Sequence, residues 1–177
     1  VRPIYVRTTK GKGRVKMTRE NMGRRVWEHR VPMMRLAVSM LKNPQDAEDA
    51  VGEAVVRAMN AAESLRSEER LRQWLLSIVA HCCQDQLRRK KREQPTDDMT
   101  VFDQPVFEPL AEDSLMAKLR TLDPKLSQVL ALYYYEGYLT REIAQILGVP
   151  LSTVLMRLKR GRAKLKTLYE AEGRCAQ

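Results

Sequence analysis

The stretch LTREIAQILGVPLSTVLMRLKRGRAKL, Leu139 to Leu165, decides how this chain is to be read. Ile143, Ile146, Leu147, Val154 and Leu158 recur at helical spacing on either side of Gly148, so the stretch reads as two helices joined by a tight turn. Three positions make it a helix-turn-helix. Ala144 is small enough for the second helix to pack across the first, Gly148 takes a positive φ that is cheap only for glycine, and Val154 anchors the second helix in a small core. Thr140 is the expected N-cap of the first helix, with Glu142 close behind, and Ser152 that of the second. The second helix then presents Thr153, Arg157, Arg160 and Lys164 on one exposed side, with Lys159, Arg162 and Lys166 nearby. Contact with phosphates and base edges in a major groove is the chemistry such a helix suits.

The rest of the composition agrees. The 177 residues carry 32 Lys and Arg against 22 Asp and Glu, a net charge of +10 that points to a polyanionic partner. No apolar run approaches the roughly 18 residues needed to span a bilayer, and no apolar segment follows the basic start, so the expectation is a soluble, cytoplasmic protein without membrane insertion. Cys82, Cys83 and Cys175 are an odd set with an adjacent pair inside a helical pattern, which argues against a disulfide framework. His81, Cys82 and Cys83 are consecutive and point about 100° apart around a helix, so no metal site is expected. No phosphate loop, nucleophile–base pair or cofactor motif is present, and an enzyme has the least support.

Residues 1–22 are basic and lack a helical period, and read as a disordered arm. Trp27, Val31, Met34, Val38 and Leu41 suit one buried helical face, with Pro32 in its first turn or at a kink. Asn43-Pro44 supplies a cap and a first-turn proline for a helix that buries Ala47, Ala50, Val51, Ala54, Val55 and Ala58. Its other side carries Asp46, Asp49 and Glu53, an acidic face on a basic protein. A further helix spans about Arg70 to Arg92, with Leu71, Trp74, Leu75, Ile78 and Cys82 inward and Gln73, Ser77, His81, Gln84 and Arg88 as a polar strip. It ends in RRKKR, more positive charge than a helix terminus needs, and phosphate contact follows.

Residues 93–113 have no Lys or Arg, three prolines and seven acidic residues, and read as an extended linker. The fold class expected is therefore all-α: two small helical domains, 23–92 and 114–170, joined by an acidic, Pro-containing linker and followed by a tail at 171–177. The VLALYYY run, Val129 to Tyr135, is the best strand candidate, but its context favours a buried helix.

From Val26 to Leu168 the segments NPQDAEDAVGEAVVRA, RLRQWLLSIVAHCCQDQLRRKKR and LRTLDPKLSQVLALYYYEGYLTREIAQILGVPLSTVLMRLKRGRAKL occur in an order that resembles a bacterial RNA polymerase sigma factor of the extracytoplasmic-function (ECF) class. That class has sigma regions 2 and 4 only. The resemblance implies transcription initiation, with core RNA polymerase (β and β′ subunits) and promoter DNA as partners, an anti-sigma factor as a further partner, and no cofactor. By the same resemblance Asp46, Asp49 and Glu53 match the face that docks on the β′ coiled coil. The Ser64–Arg70 loop, with Ser64, Arg66 and Arg70, matches the one that captures an unstacked base of the −10 element. Ser77, His81, Gln84, Asp85, Arg88 and Arg89 match the segment facing that DNA, while Trp74 is expected mainly to pack the core. Thr153, Leu155, Met156, Arg157, Lys159, Arg160 and Lys164 match the −35 reader. The acidic linker is placed toward the RNA path, where its charge imitates nucleic acid.

The chain departs from the family pattern at Gly52, where glutamine is usual, at His81, where asparagine is common, and at Leu155 and Met156, which replace a basic or polar pair. Thymine methyl contact suits the last two. Two competing readings are a helix-turn-helix regulator that binds duplex DNA without docking on polymerase and a sigma-like protein that has lost initiation activity.

Overall fold

Every regular element among the described residues is helical. The computed structural model describes residues 19–62, 65, 67–93 and 114–175. Eight α-helices follow in order: α1 Arg19–Glu28, α2 Arg30–Leu41, α3 Pro44–Asn60, α4 Leu71–Glu93, α5 Ser114–Thr121, α6 Pro124–Tyr134, α7 Thr140–Leu147 and α8 Leu151–Cys175, with a 3-10 turn at Glu68–Arg70 before α4. Residues 1–18 and 94–113, which hold most of the expected arm and linker, lie outside the described residues.

Local chemistry places several helix ends. The Asn43 side chain accepts hydrogen bonds from the Gln45 and Asp46 amides at 2.9 and 3.3 Å, and Pro44 opens α3. Asp123 caps α6 in the same way, accepting from the Lys125 amide at 2.7 Å with Pro124 next. VLALYYY is helical through Tyr134, as its context required, with Tyr135 capping the helix. Two expected caps shift by a residue or more. Leu139, not Thr140, precedes α7, and its amide donates to Glu142 Oε2 at 2.8 Å. Helix α8 begins at Leu151, so Ser152 lies inside its first turn.

Two expectations for the first helices fail. α1 begins at Arg19, inside the segment read as an arm, and Met22 is fully buried. Trp27 and Val31 do not face inward: Trp27 is 68% exposed, with the Arg30 guanidinium 4.5 Å from its ring centroid. The chain breaks between α1 and α2 at His29, which resets the helical phase. Met33, Leu36, Ala37, Met40 and Leu41 then take the core positions of α2.

Helices α2, α3 and α4 pack on one another, and α1 packs on α3. Arg25 of α1 forms ion pairs with Glu28 and with Glu68, tying α1 to the turn that precedes α4. In the second half α6 packs against α8 and α7 against both. Lys118 of α5 bonds Glu172 at 2.6 Å and lies 4.2 Å from the Tyr169 ring, which fixes the far end of α8. The halves also meet, α2 against α6 and α5, and α4 against α7, so a single core cluster runs through both. Within that contact Ser127 donates to the Ser39 carbonyl at 2.5 Å in buried surroundings.

Candidate nucleic-acid interface

The turn of the helix-turn-helix is made by Gly148, which stands at φ 62° and closes α7 through its amide to the Ala144 carbonyl. Ile143, Ile146, Val154 and Leu158 are buried beneath it. Their packing leaves the outer face of α8 open: Leu155 and Met156 are 50% and 46% exposed, Lys159, Arg160 and Lys164 are exposed, and Thr153 and Arg157 are half-buried. Arg162 belongs to a different set. Its Nε donates to the Tyr134 hydroxyl at 3.2 Å and its guanidinium lies 4.9 Å from the Tyr133 ring, so it braces α8 on α6.

On α4 the strip Gln73, Ser77, His81, Gln84 and Arg88 lies along one side, with Arg89 exposed beside it. His81 Nδ1 donates to the Ser77 carbonyl at 2.7 Å, which fixes the ring along the helix. Asp85 is held by Arg57, at 3.4 Å, and by Arg88, at 3.5 Å; Arg57 also bonds Glu53 at 2.6 Å. Those carboxylates keep the Arg57 charge in place, Glu53 first.

Two hollows flank this strip. One, of about 260 Å³, is lined by Leu65, Ser67, Arg70, Gln73, Trp74, Ser77, Gln145 and Ile146. The other, of about 400 Å³, is an open groove between α3 and α4 lined by Arg57, Ala61, Trp74, Ile78, His81 and Asp85. Trp74 borders both. It is half-buried and packs against the core, as expected, with the rest of its surface facing the two hollows. Arg70 and Ser77 meet at the first hollow, whereas Ser64 and Arg66 lie outside the described residues. Gln145 and Ile146 were absent from the sequence reading of this site. They come from the helix-turn-helix, and no local pattern connects them to a loop so far away in the chain.

The acidic face of α3 divides. Asp49 is exposed and has no ion pair among the described residues. Asp46 is 17% exposed and turned toward α4, where it pairs with Lys90 and accepts from Gln86 at 3.3 Å. Glu53 is shared with Arg57. Gly52 stands exposed between them, and a β-carbon there would meet open space.

Cys82 and Cys83 sit where a thiolate is disfavoured. Cys82 and Cys83 are buried free thiols, and burial pushes both up from the ordinary thiol value. Among the described residues no group of His, Cys, Asp and Glu could hold a metal ion, and no helix is long and apolar enough to cross a membrane.

Comparison with known proteins gives this geometry a context. Residues 26–93 match the family described as Sigma-70 region 2, and residues 112–165 match Sigma-70, region 4. The chain is 30% identical to the ECF RNA polymerase sigma factor SigW of Bacillus subtilis, over 75% of this chain and 80% of that protein. It is 29% identical to the RNA polymerase sigma factor SigV of the same organism, over 76% and 82%. Among solved structures it is similar to the sigma factor RpoE in complex with the anti-sigma factor NepR from Bartonella quintana, with a TM-score of 0.71 at 20% identity, covering 85% of this chain and 98% of that one. It is also similar to CnrH in complex with the cytosolic domain of CnrY, with a TM-score of 0.61 at 24% identity, covering 87% and 90%.

Proposed function

The chain belongs to the extracytoplasmic-function (ECF) family of RNA polymerase sigma factors, and we propose that its exposed faces divide the work of promoter-specific initiation as follows. Asp49, with Glu53 beside it, docks on core RNA polymerase through the β′ coiled coil, while Asp46 serves mainly to hold α3 on α4. The −35 element is read by α8, with Arg160, Lys159 and Lys164 at phosphates and base edges and Leu155 and Met156 against thymine methyl groups. The −10 element is opened and held by α4 and the loop before it.

The observation that carries this reading is the hollow that gathers Arg70, Ser77 and Trp74 at one end of the polar strip. An unstacked base needs a π-face, a hydrogen-bonding rim and a nearby cation, and these three side chains supply one each. Beyond it His81, Gln84, Arg88 and Arg89 give the strand a polar and positive track. Holding one base out of the stack costs a few kcal/mol, which is offset by aromatic stacking and by polymerase binding. The protein itself makes and breaks no bond, and it acts in the cytoplasm where polymerase and DNA are found. Domain limits of 23–92 and 114–170 suit this division, with α1 extending the first toward Arg19. An anti-sigma factor is a further partner, since the two similar solved structures contain a sigma factor with an anti-sigma factor and CnrH with the cytosolic domain of CnrY.

The test is association with core polymerase, measured by the fluorescence of labelled full chain. Reversing Asp49 and Glu53 to lysine is expected to weaken binding at least roughly tenfold, and Asp46→Asn to lower the unfolding midpoint more than it lowers binding. Equal binding by the double reversal would remove that face from the docking surface.

A further inference from the structure

Gly52 lies in the middle of α3, with helix on both sides of it. Its backbone does not use the positive φ open to glycine, which among the described glycines is taken by Gly137 and Gly148 alone. A β-carbon at Gly52 would meet nothing within 4 Å beyond its chain neighbours and its own helix backbone, so no packed side chain requires the space. Glycine is the weakest helix former after proline, and alanine would hold α3 better. Neither a turn nor internal packing accounts for the missing side chain, which directs attention to what lies outside the fold.

The residues around Gly52 have a definite arrangement. Asp49, Gly52, Glu53 and Val56 stand at i, i+3, i+4 and i+7, the four corners of the hole that receives one side chain of a facing helix in knobs-into-holes packing. Ala47, Ala50, Val51, Ala54 and Ala58 take the other side of α3 into the core, so the hole opens outward. Asp49 is exposed, Glu53 is half-buried, and Val56, at 59% exposure, is the one large apolar side chain that α3 leaves in the open. Glu53 is drawn aside: its carboxylate accepts from Arg57 at 2.6 Å, and Arg57 continues to Asp85 of α4 at 3.4 Å. The hole therefore has no side chain at its floor, carboxylates on two corners and Val56 at its far end.

These walls select what can enter. An apolar knob would bury Asp49 without a partner, and an acidic one would meet two like charges. A long basic side chain suits every corner, with its methylene stem along Val56 and its cationic head at Asp49 and Glu53. The charge of Arg57 does not oppose it, being already committed to Glu53 and Asp85. Packed helices lie about 8–10 Å apart, and a glycine floor brings the facing helix to the near end of that range. A glutamine, usual in the family pattern at this place, would fill the hole that this chain leaves empty.

We propose that the hole of Asp49, Gly52, Glu53 and Val56 receives a basic knob from a helix of the β′ coiled coil, and that Gly52 sets how deeply that helix seats. The inference rests on the docking reading above and adds to it a determinant of fit. A side chain at position 52 holds the facing helix off, whereas its absence admits the knob to its full length.

The test measures the affinity of the labelled full chain for core polymerase beside the urea midpoint of each variant. Gly52→Ala is expected to raise the midpoint and yet to weaken binding roughly fivefold, and Gly52→Gln to weaken it at least roughly tenfold. Stability and binding that move in opposite directions are not produced by a merely structural role. Val56→Ser is expected to weaken binding roughly fivefold through lost contact with the stem. Binding by any of the three as tight as that of the unchanged chain, or tighter, overturns the proposal. Reversal of Asp49 and Glu53 to lysine separates the two readings. If that variant also binds unchanged, α3 is not the docking face and the hole falls with it; if it alone loses binding, the face docks but takes no knob at Gly52.

Discussion

Gly161 of α8 lies so close to Leu130 of α6 that a β-carbon on the glycine would fall 2.8 Å from Leu130 Cδ1 and 3.1 Å from Cγ. Leu130 is fully buried and cannot swing away. This approach sets the depth at which α8 lies on α6, and with it the direction in which the exposed side chains of α8 point. Gly161→Ala is expected to overpack the contact, and even after the better helix propensity of alanine the loss is roughly 1–2 kcal/mol. Urea unfolding of the variant measures it; an unchanged or higher midpoint would show that α8 has room to move.

Gly52 gives the opposite case. It sits in the middle of α3 with nothing near its missing β-carbon, so Gly52→Ala is expected to raise stability by about 1 kcal/mol, seen as a higher urea midpoint. Both glycines lie inside continuous helices, and the neighbour across the contact determines the sign.

His29 stands at the break between α1 and α2. Burial, then the charge of Arg72, lowers its pKa from the ordinary 6.5, with Arg25 acting the same way and Glu28 and Glu136 opposing. The unfolded chain therefore takes up the proton more readily than the folded one. His29 contributes stability that is fully present above about pH 7 and is lost as pH falls through the unfolded value toward the folded one. His29→Gln is expected to flatten the dependence of the unfolding midpoint on pH between about pH 7 and pH 5. An identical slope in the variant would assign that dependence to other groups.

Trp74 is the wall between the hollow and the groove on α4. Stacking of an unstacked base on an aromatic ring is worth about 1–3 kcal/mol, so Trp74→Ala is expected to reduce open-complex formation by roughly tenfold or more. Trp74→Phe, which keeps a π-face, is expected to recover most of it. Permanganate reactivity of thymines in the −10 element reads the effect, and equal loss in both variants would point to packing instead.

What the sequence made legible was local. Gly148 and Asn43-Pro44 act within a turn of their own position, and the structure has them as expected. The same short range explains the near misses. Thr140 and Ser152 are typical caps, yet Leu139 takes the first place because the Glu142 carboxylate reaches back to its amide. Trp27 and Val31 fit a helical period that runs through His29, whereas the chain breaks there and a different stripe of α2 turns inward. Larger gaps concern partners far apart in the chain. Asp46 looked like a member of an exposed face because nothing nearby shows that Lys90 will meet it. Glu136 sits in an ordinary-looking turn between helices, and only the packing of α6 and α7 on α2 and α4 brings Arg35 and Arg72 to it. Periodicity gives each helix an inner face without saying which helix will cover it.

The central claim is that this protein starts transcription by docking through α3 while α4 and α8 engage the promoter. Run-off transcription with core RNA polymerase on pooled promoter fragments at moderate salt tests it most directly. Discrete new transcripts that depend on the protein, and that disappear when Asp49 and Glu53 are both changed to lysine, are the predicted result. A protein that shifts duplex DNA by itself but neither binds core polymerase nor yields any transcript would contradict the account.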